Sequence, residues 1–246
     1  MGKIISFLSK FLFIYFLYLF NLASANLDDA RNLFLEGEYL QAMELCKNIN
    51  SNEALILQSR ILSIHAFFFK KDAEAKNSYL EAYKIAKKVI NNDDKISEAY
   101  VEAAHALGRY GQEIGIISAI SKGIAEKIKK YLDKALFIEP DDVIANLSMG
   151  IWHAEIISKS GKTFANLLYG AKADDARLFL RKALQLNDQQ IGVLYEAAYG
   201  FKLLKKPDDI LLSKKLIKKL LTKDNFSHMD SLYKIKAKKL LKEYDF

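Results

Sequence analysis

Proline is almost absent from this chain, with Pro140 and Pro207 the only two among 246 residues, and glycine is sparse at 11. That scarcity excludes a turn-rich β fold and a disordered, Pro/Gly-rich chain. Arginine is scarce too: only Arg31, Arg60, Arg109, Arg177 and Arg181 stand among 37 basic residues. A pI near 9.1 invites a nucleic-acid reading, but the guanidinium forks that grip phosphates and bases bidentately are few. No acid occurs before Asp28, and no stretch alternates apolar and polar residues as a half-buried strand would. Cysteine occurs once, at Cys46, which rules out a disulfide within the chain.

Residues 1–25 read as a secretory signal. Lys3 and Lys10 precede an apolar run of ten, Phe11 to Phe20, and Ala23-Ser24-Ala25 supplies the small-x-small cleavage pattern. The run is short against the ~20 residues that span a bilayer. Cleavage predicts a mature chain from Asn26, exported and periplasmic; the alternative is a membrane anchor formed by an uncleaved segment starting near Ile4. No cysteine follows the cleavage pattern, so a lipid anchor is not indicated. In an oxidising compartment a lone thiol is best buried, and the spacing of Ala42, Cys46 and Ile49 places Cys46 on the apolar stripe of a helix.

Beyond the signal the apolar periodicity is helical throughout. Ala42, Cys46 and Ile49 recur as Ile128, Leu132 and Ala135, and again as Ala176, Leu180 and Ala183, each time at spacings of four and three. From Ala135 to Gly150 and from Ala183 to Ala198 is the same 15 residues, so the junction between one helical pair and the next keeps a fixed length. Small residues at Ala30, Gly108, Gly150 and Ala198 mark expected close approaches of helices. The pattern predicts helices over 27–36 and 39–48, 53–69 and 72–90, 95–121 and 123–138, 142–158 and 174–186, 190–204 and 207–221, with Pro207 in the first turn that tolerates it. A last helix, 229–244, is expected to cap the array with its lysines outward.

Gly37-Glu38-Tyr39 with Ala42, Lys134-Ala135-Leu136 with Pro140-Asp141-Asp142, and Leu147 through Gly150 with Ala183-Leu184 resemble the tetratricopeptide repeat. The spacing departs from the usual ~34 residues: Gly108 to Gly150 spans 42 and Ala135 to Ala183 spans 48, which places insertions around 115–123 and 158–172. Around them, Ala106 to Tyr110, Gly150 to Glu155 and Leu168 to Ala171 resemble exported bacterial repeat proteins related to the animal regulators of microtubule dynamics. The resemblance implies an all-α, tetratricopeptide-like helical-hairpin solenoid of about five hairpins plus a C-terminal capping helix. It also implies an interaction module without catalytic residues; a microtubule role does not carry over to an exported chain. The expected organisation is a single domain over 26–246, with hairpins one and two in 26–93, three and four in 94–188, and the fifth with a basic cap in 189–246.

Motifs for chemistry are missing or incomplete. Gly161-Lys162-Thr163 matches the end of a phosphate-binding loop, but Ile156 stands where its first glycine belongs and no strand precedes it. The four histidines, His65, His105, His153 and His228, lack a metal-ligand spacing, and no nucleophile sits on a recognisable sharp turn. The sequence therefore predicts no enzyme, no cofactor, no metal site and no nucleic-acid partner.

In such repeats the first helix of each hairpin lines the concave groove. The groove face then reads Glu102, His105, Arg109 and Gln112 on hairpin three, Ser148, Ile151 and Glu155 on hairpin four, and Tyr195, Tyr199 and Lys202 on hairpin five. Mixed charge with tyrosines suits a peptide or a partner's helix; the plainer alternative is a solvated face on which Glu102 and Arg109 pair with each other. A rival function encloses a small ligand between the groove and the 158–172 insertion, and predicts an apolar cavity near Trp152, Phe164 and Tyr169. Charge is unevenly placed: residues 202–246 carry a balance of +7, against −2 for 26–201. Lys214, Lys215, Lys218 and Lys219, and then Lys234, Lys238 and Lys242, form basic stripes. These are a solvated outer face or a docking surface for anionic membrane or an acidic protein.

Overall fold

Short polar residues set the helix starts. Asn26 accepts a hydrogen bond from the Asp28 amide at 3.0 Å, Ser51 from Ala54 at 3.1 Å and Asp142 from Ala145 at 2.6 Å, each satisfying an amide that the first turn leaves without a partner. The computed structural model describes residues 26–244, the side chains of residues 116 and 117 excepted; the expected signal and its cleavage pattern lie outside the described residues.

Thirteen helices follow one another among the described residues. They are α1 (Leu27–Glu36), α2 (Tyr39–Lys47), α3 (Asn52–Phe69), α4 (Asp72–Asn92), α5 (Ser97–Ile114), α6 (Ile116–Ser121) and α7 (Ile124–Ile138). After them come α8 (Val143–Ser160), α9 (Lys162–Tyr169), α10 (Ala173–Leu186), α11 (Ile191–Leu204), α12 (Pro207–Leu221) and α13 (His228–Lys242). The hairpins are α1–α2, α3–α4, α5–α7, α8–α10 and α11–α12, and their first helices stack in the order α3, α5, α8, α11.

The helix expected over 95–121 is two helices. Gly115 takes φ 79°, a conformation open to glycine but strained for other residues, and the chain turns there from α5 into α6. The 158–172 insertion likewise holds α9, between Gly161 (φ 79°) and Gly170 (φ 67°), where the apolar pattern predicted no helix.

Two glycines beside α10 have a packing cause. Leu180 of α10 is fully buried between α8 and α11: a Cβ at Gly150 would lie 2.7 Å from its Cγ, and one at Gly200 would lie 2.9 Å from its Cδ1. Gly108 differs from the expectation, since its nearest neighbour would be Ile128 Cδ1 at 3.9 Å and no close approach requires a glycine there. Cys46 is completely buried, with Ala42 and Tyr39, and burial pushes its thiol pKa up.

The last helix is more than a cap. Tyr233, Ala237 and Leu240 do cover the fifth hairpin, but Met229 packs on both the main core and the α1–α2 cluster, and His228 lies against Gly37 and Tyr39. The array therefore closes on its own beginning. Lys236 does not point outward as expected: its ammonium lies 3.9 Å from the centre of the Phe67 ring of α3.

Two substitutions check this packing. Gly150→Ala, driven onto the Leu180 backbone nitrogen at 2.9 Å, should destabilise the chain by about 1–3 kcal/mol. Gly108→Ala, which has room and removes a helix-interior glycine, should stabilise it by roughly 0.5–1 kcal/mol. Urea denaturation of the two variants against the parent chain measures both.

Candidate functional site: the inner cavity

Closure by α13 turns the concave face into the wall of a cavity of about 870 Å³. Its apolar wall comes from Ile128 and Leu132 of α7, Leu147, Ile151, Trp152 and Ile156 of α8, and Ile64 and Phe67 of α3, with Met229 and Tyr233 of α13. Of the three residues expected around a small-ligand cavity, Trp152 and Tyr169 line it. Phe164 does not: it is 60% exposed on the outer side of α9. The Trp152 indole N–H donates to the Ala125 carbonyl at 2.9 Å, so the ring presents an apolar surface with its polar group satisfied.

The groove residues selected by helical spacing do come together, but their partners differ from the expected ones. Glu102 is only 3% exposed and pairs with Arg60 of α3, whose Nε donates to its Oε1 at 2.8 Å; it does not pair with Arg109. Arg60 also donates to Glu98 at 2.5 Å. Burial raises the Glu102 pKa, the adjacent Arg60 opposing it, while the two carboxylates raise that of Arg60. Sequence spacing within one helix could not reveal this pair, because Arg60 stands 42 residues earlier on another helix.

Arg109 ties three helices together. From α5 it donates to Glu196 of α11 at 2.9 Å and to Gln112 at 3.3 Å, and its guanidinium lies 3.8 Å from the centre of the Phe67 ring. Gln112 donates to Glu155 of α8 at 3.3 Å, and the Tyr199 hydroxyl of α11 donates to the same Glu155 oxygen at 2.6 Å. Lys159 completes that cluster at 2.8 Å from the other oxygen. Burial and the nearby Glu155 raise the Tyr199 phenol pKa, so it remains a donor. His105 Nε2 lies 2.8 Å from the Ser148 hydroxyl, and burial pushes the imidazole down to about 4. Tyr195 packs against Tyr233, ring centres 5.3 Å apart, and Lys202 at the end of α11 pairs with Glu243. Tyr195 is thus a contact of α13 and Lys202 of Glu243 just beyond it, and neither lines the cavity.

The basic stripes are partly consumed within the chain. Lys214 donates to the Tyr244 carbonyl at 3.2 Å, Lys219 pairs with Asp188, and Lys234 donates to the Lys223 carbonyl. Lys215, Lys218, Lys238 and Lys242 are exposed. Among the described residues, no group of three or more His, Cys, Asp or Glu side chains could hold a metal ion. The charged groups of the cavity are committed to one another and the Ser63 hydroxyl alone among its buried polar side chains lacks a partner, so what the cavity offers a ligand is chiefly apolar surface with fixed charges at its margin.

The family model described as regulator of microtubule dynamics protein 1-3 matches residues 26–245 of this closed array. The chain belongs to that family. Comparison with curated proteins gives no significant match. The crystal structure of TTC0263, a thermophilic TPR protein of Thermus thermophilus, is similar to this one at a TM-score of 0.61 and 18% identity, covering 89% of this chain and 99% of the other. That likeness establishes the fold as a tetratricopeptide solenoid. Such a fold is typically a non-catalytic scaffold for protein–protein interaction, and in this family member its inner face is closed by α13.

Buried His153 gives this region a pH dependence. Its Nδ1 accepts the Lys172 amide at 3.1 Å, just after α9, and burial lowers its pKa to about 4. Protonation would turn that acceptor into a donor facing an N–H. A histidine depressed in the folded state binds fewer protons than in the unfolded chain between its two pKa values, so stability is lost as pH falls from about 6.5 towards 4. Between pH 7 and pH 5 the expected loss through this group is about 1–2 kcal/mol, read from urea denaturation. His153→Gln, which keeps an acceptor but does not titrate, should lose less.

Proposed function

We propose that this protein is a non-catalytic interaction scaffold of the cell envelope, periplasmic after export, whose inner cavity receives an apolar segment of a partner polypeptide, either a peptide or one face of a helix. The observation that carries this reading is the apolar wall of Ile151, Trp152 and Phe67, bordered by the fixed pairs Arg60–Glu102 and Arg109–Glu196. Preformed charges at the rim of an apolar floor orient a partner without requiring reorganisation on binding. The exported location is supported by the apolar run Phe11 to Phe20 and by the Ala23-Ser24-Ala25 pattern, which ends immediately before Asn26, the residue that caps α1.

A second reading has its own support. The cavity volume falls within the roughly 300–1,000 Å³ typical of small-molecule sites, and an apolar small ligand would make this chain the binding component of an envelope transport or assembly system. A photo-crosslinking residue at Gln112, exposed at the cavity edge, separates the two in intact cells. Capture of one polypeptide, lost when Gly108→Leu fills the cavity and weakened at least several-fold by Tyr199→Ala, is expected. Absence of any protein adduct, with an apolar molecule retained by the purified chain in native mass spectrometry, would favour the small-ligand reading instead.

A further inference from the structure

The two insertions share one end of neighbouring hairpins, since α6 follows the end of α5 and α9 follows the end of α8, and Ile120 and Tyr169 border the same cavity. Helix α9 buries Ala165 and presents Phe164, Leu167 and Leu168 at 60%, 75% and 63% exposure, three apolar side chains on adjoining turns. Ile120 on α6 is exposed at the same end of the fold. Large side chains grouped in this way on a short helix are a docking surface when something of fitting chemistry covers them.

Charge indicates what that is. From Gly115 to Ala125 and from Ile156 to Ala173 there are four lysines, Lys122, Lys159, Lys162 and Lys172, and no acid. Lys159 pairs with Glu155, while Lys122, Lys162 and Lys172 are exposed. The turns at the opposite ends of the same two hairpins carry Asp93, Asp94, Glu139, Asp141, Asp142 and Asp188. The two insertions are thus basic and apolar in themselves, with Glu113, Glu126, Asp174 and Asp175 at the helix ends that flank them and Asp174 paired with Arg177, while the far turns are acidic. Among the described residues, no helix is long and apolar enough to cross a membrane. We propose that this end docks on an anionic lipid bilayer, with α9 lying in the interface, Phe164, Leu167 and Leu168 entering the acyl boundary and the lysines meeting the headgroups. The acidic far turns favour the orientation in which they point away from the bilayer and α9 lies against it.

The test is co-sedimentation of the purified full mature chain with vesicles of phosphatidylcholine alone or mixed with phosphatidylglycerol, at rising salt. Binding is expected to the anionic vesicles only and to fall with salt. Lys162→Glu with Lys172→Glu should weaken it at least roughly tenfold, and Leu167→Ser with Leu168→Ser by about tenfold or more. Both pairs are exposed, so thermal unfolding should stay near the parent's. Failure to bind anionic vesicles at low salt would overturn the proposal, as would binding that only reversal of Lys238 and Lys242 abolishes. Loss of self-association in the leucine variant without any vesicle binding would reassign the surface to a second copy of the chain.

Discussion

The array closes because α13 returns across its inner face. Tyr233 seats between the ring of Phe68 on α3 and that of Tyr195 on α11, at a point where Gly192 leaves room for it. Burying such a side chain is worth about 1.5–3 kcal/mol, and Met229 extends the contact to the first hairpin. A solenoid whose repeats touch only their neighbours is stabilised one interface at a time. This one gains a contact between its ends, and from it follow the bounded cavity and the burial of the polar groups inside.

Those buried polar groups then dictate the electrostatics. A carboxylate taken out of water is costly unless it is paired and hydrogen-bonded, and Glu102 and Glu196 each receive an arginine from a different helix. Phe67 carries Arg109 and Lys236 against the same ring, which joins α5 and α13 through α3. The polar ladder is structural first. Its contribution to recognition is to stay in place at the margin of an apolar floor, which is why the two functional readings both rest on apolar contact.

Much of this was legible in the sequence for identifiable reasons. Of the helix starts, that at Pro207 was legible from its own chemistry, whereas the caps at Asn26, Ser51 and Asp142 became plain in the fold. The close approach at Gly150 was visible as a small residue inside a helix, because Leu180 leaves no room for a side chain beside it. Helix α9 was missed although Phe164, Leu167 and Leu168 stand at helical spacing, because eight residues between Gly161 and Gly170 make only two turns and fall inside a stretch that departs from the repeat. The partners of Glu102 and Arg109 were equally hidden, because spacing assigns a face to a residue but says nothing of which distant helix comes to meet it. For the same reason the lysines of the last helix were all expected outward, while the fold draws Lys236 inward and leaves Lys238 in water.

Closure also connects sites that are far apart in sequence. The cavity, the α6–α9 edge and the first hairpin all lean on elements that α13 holds together, so a change at the end of the chain should be felt at its beginning. Amide hydrogen exchange in a Tyr233→Ala variant measures that directly. Faster exchange is expected in α1 and α2, almost 200 residues away, together with α11 to α13. Faster exchange confined to α11–α13, with α1 and α2 as protected as in the parent chain, would contradict it.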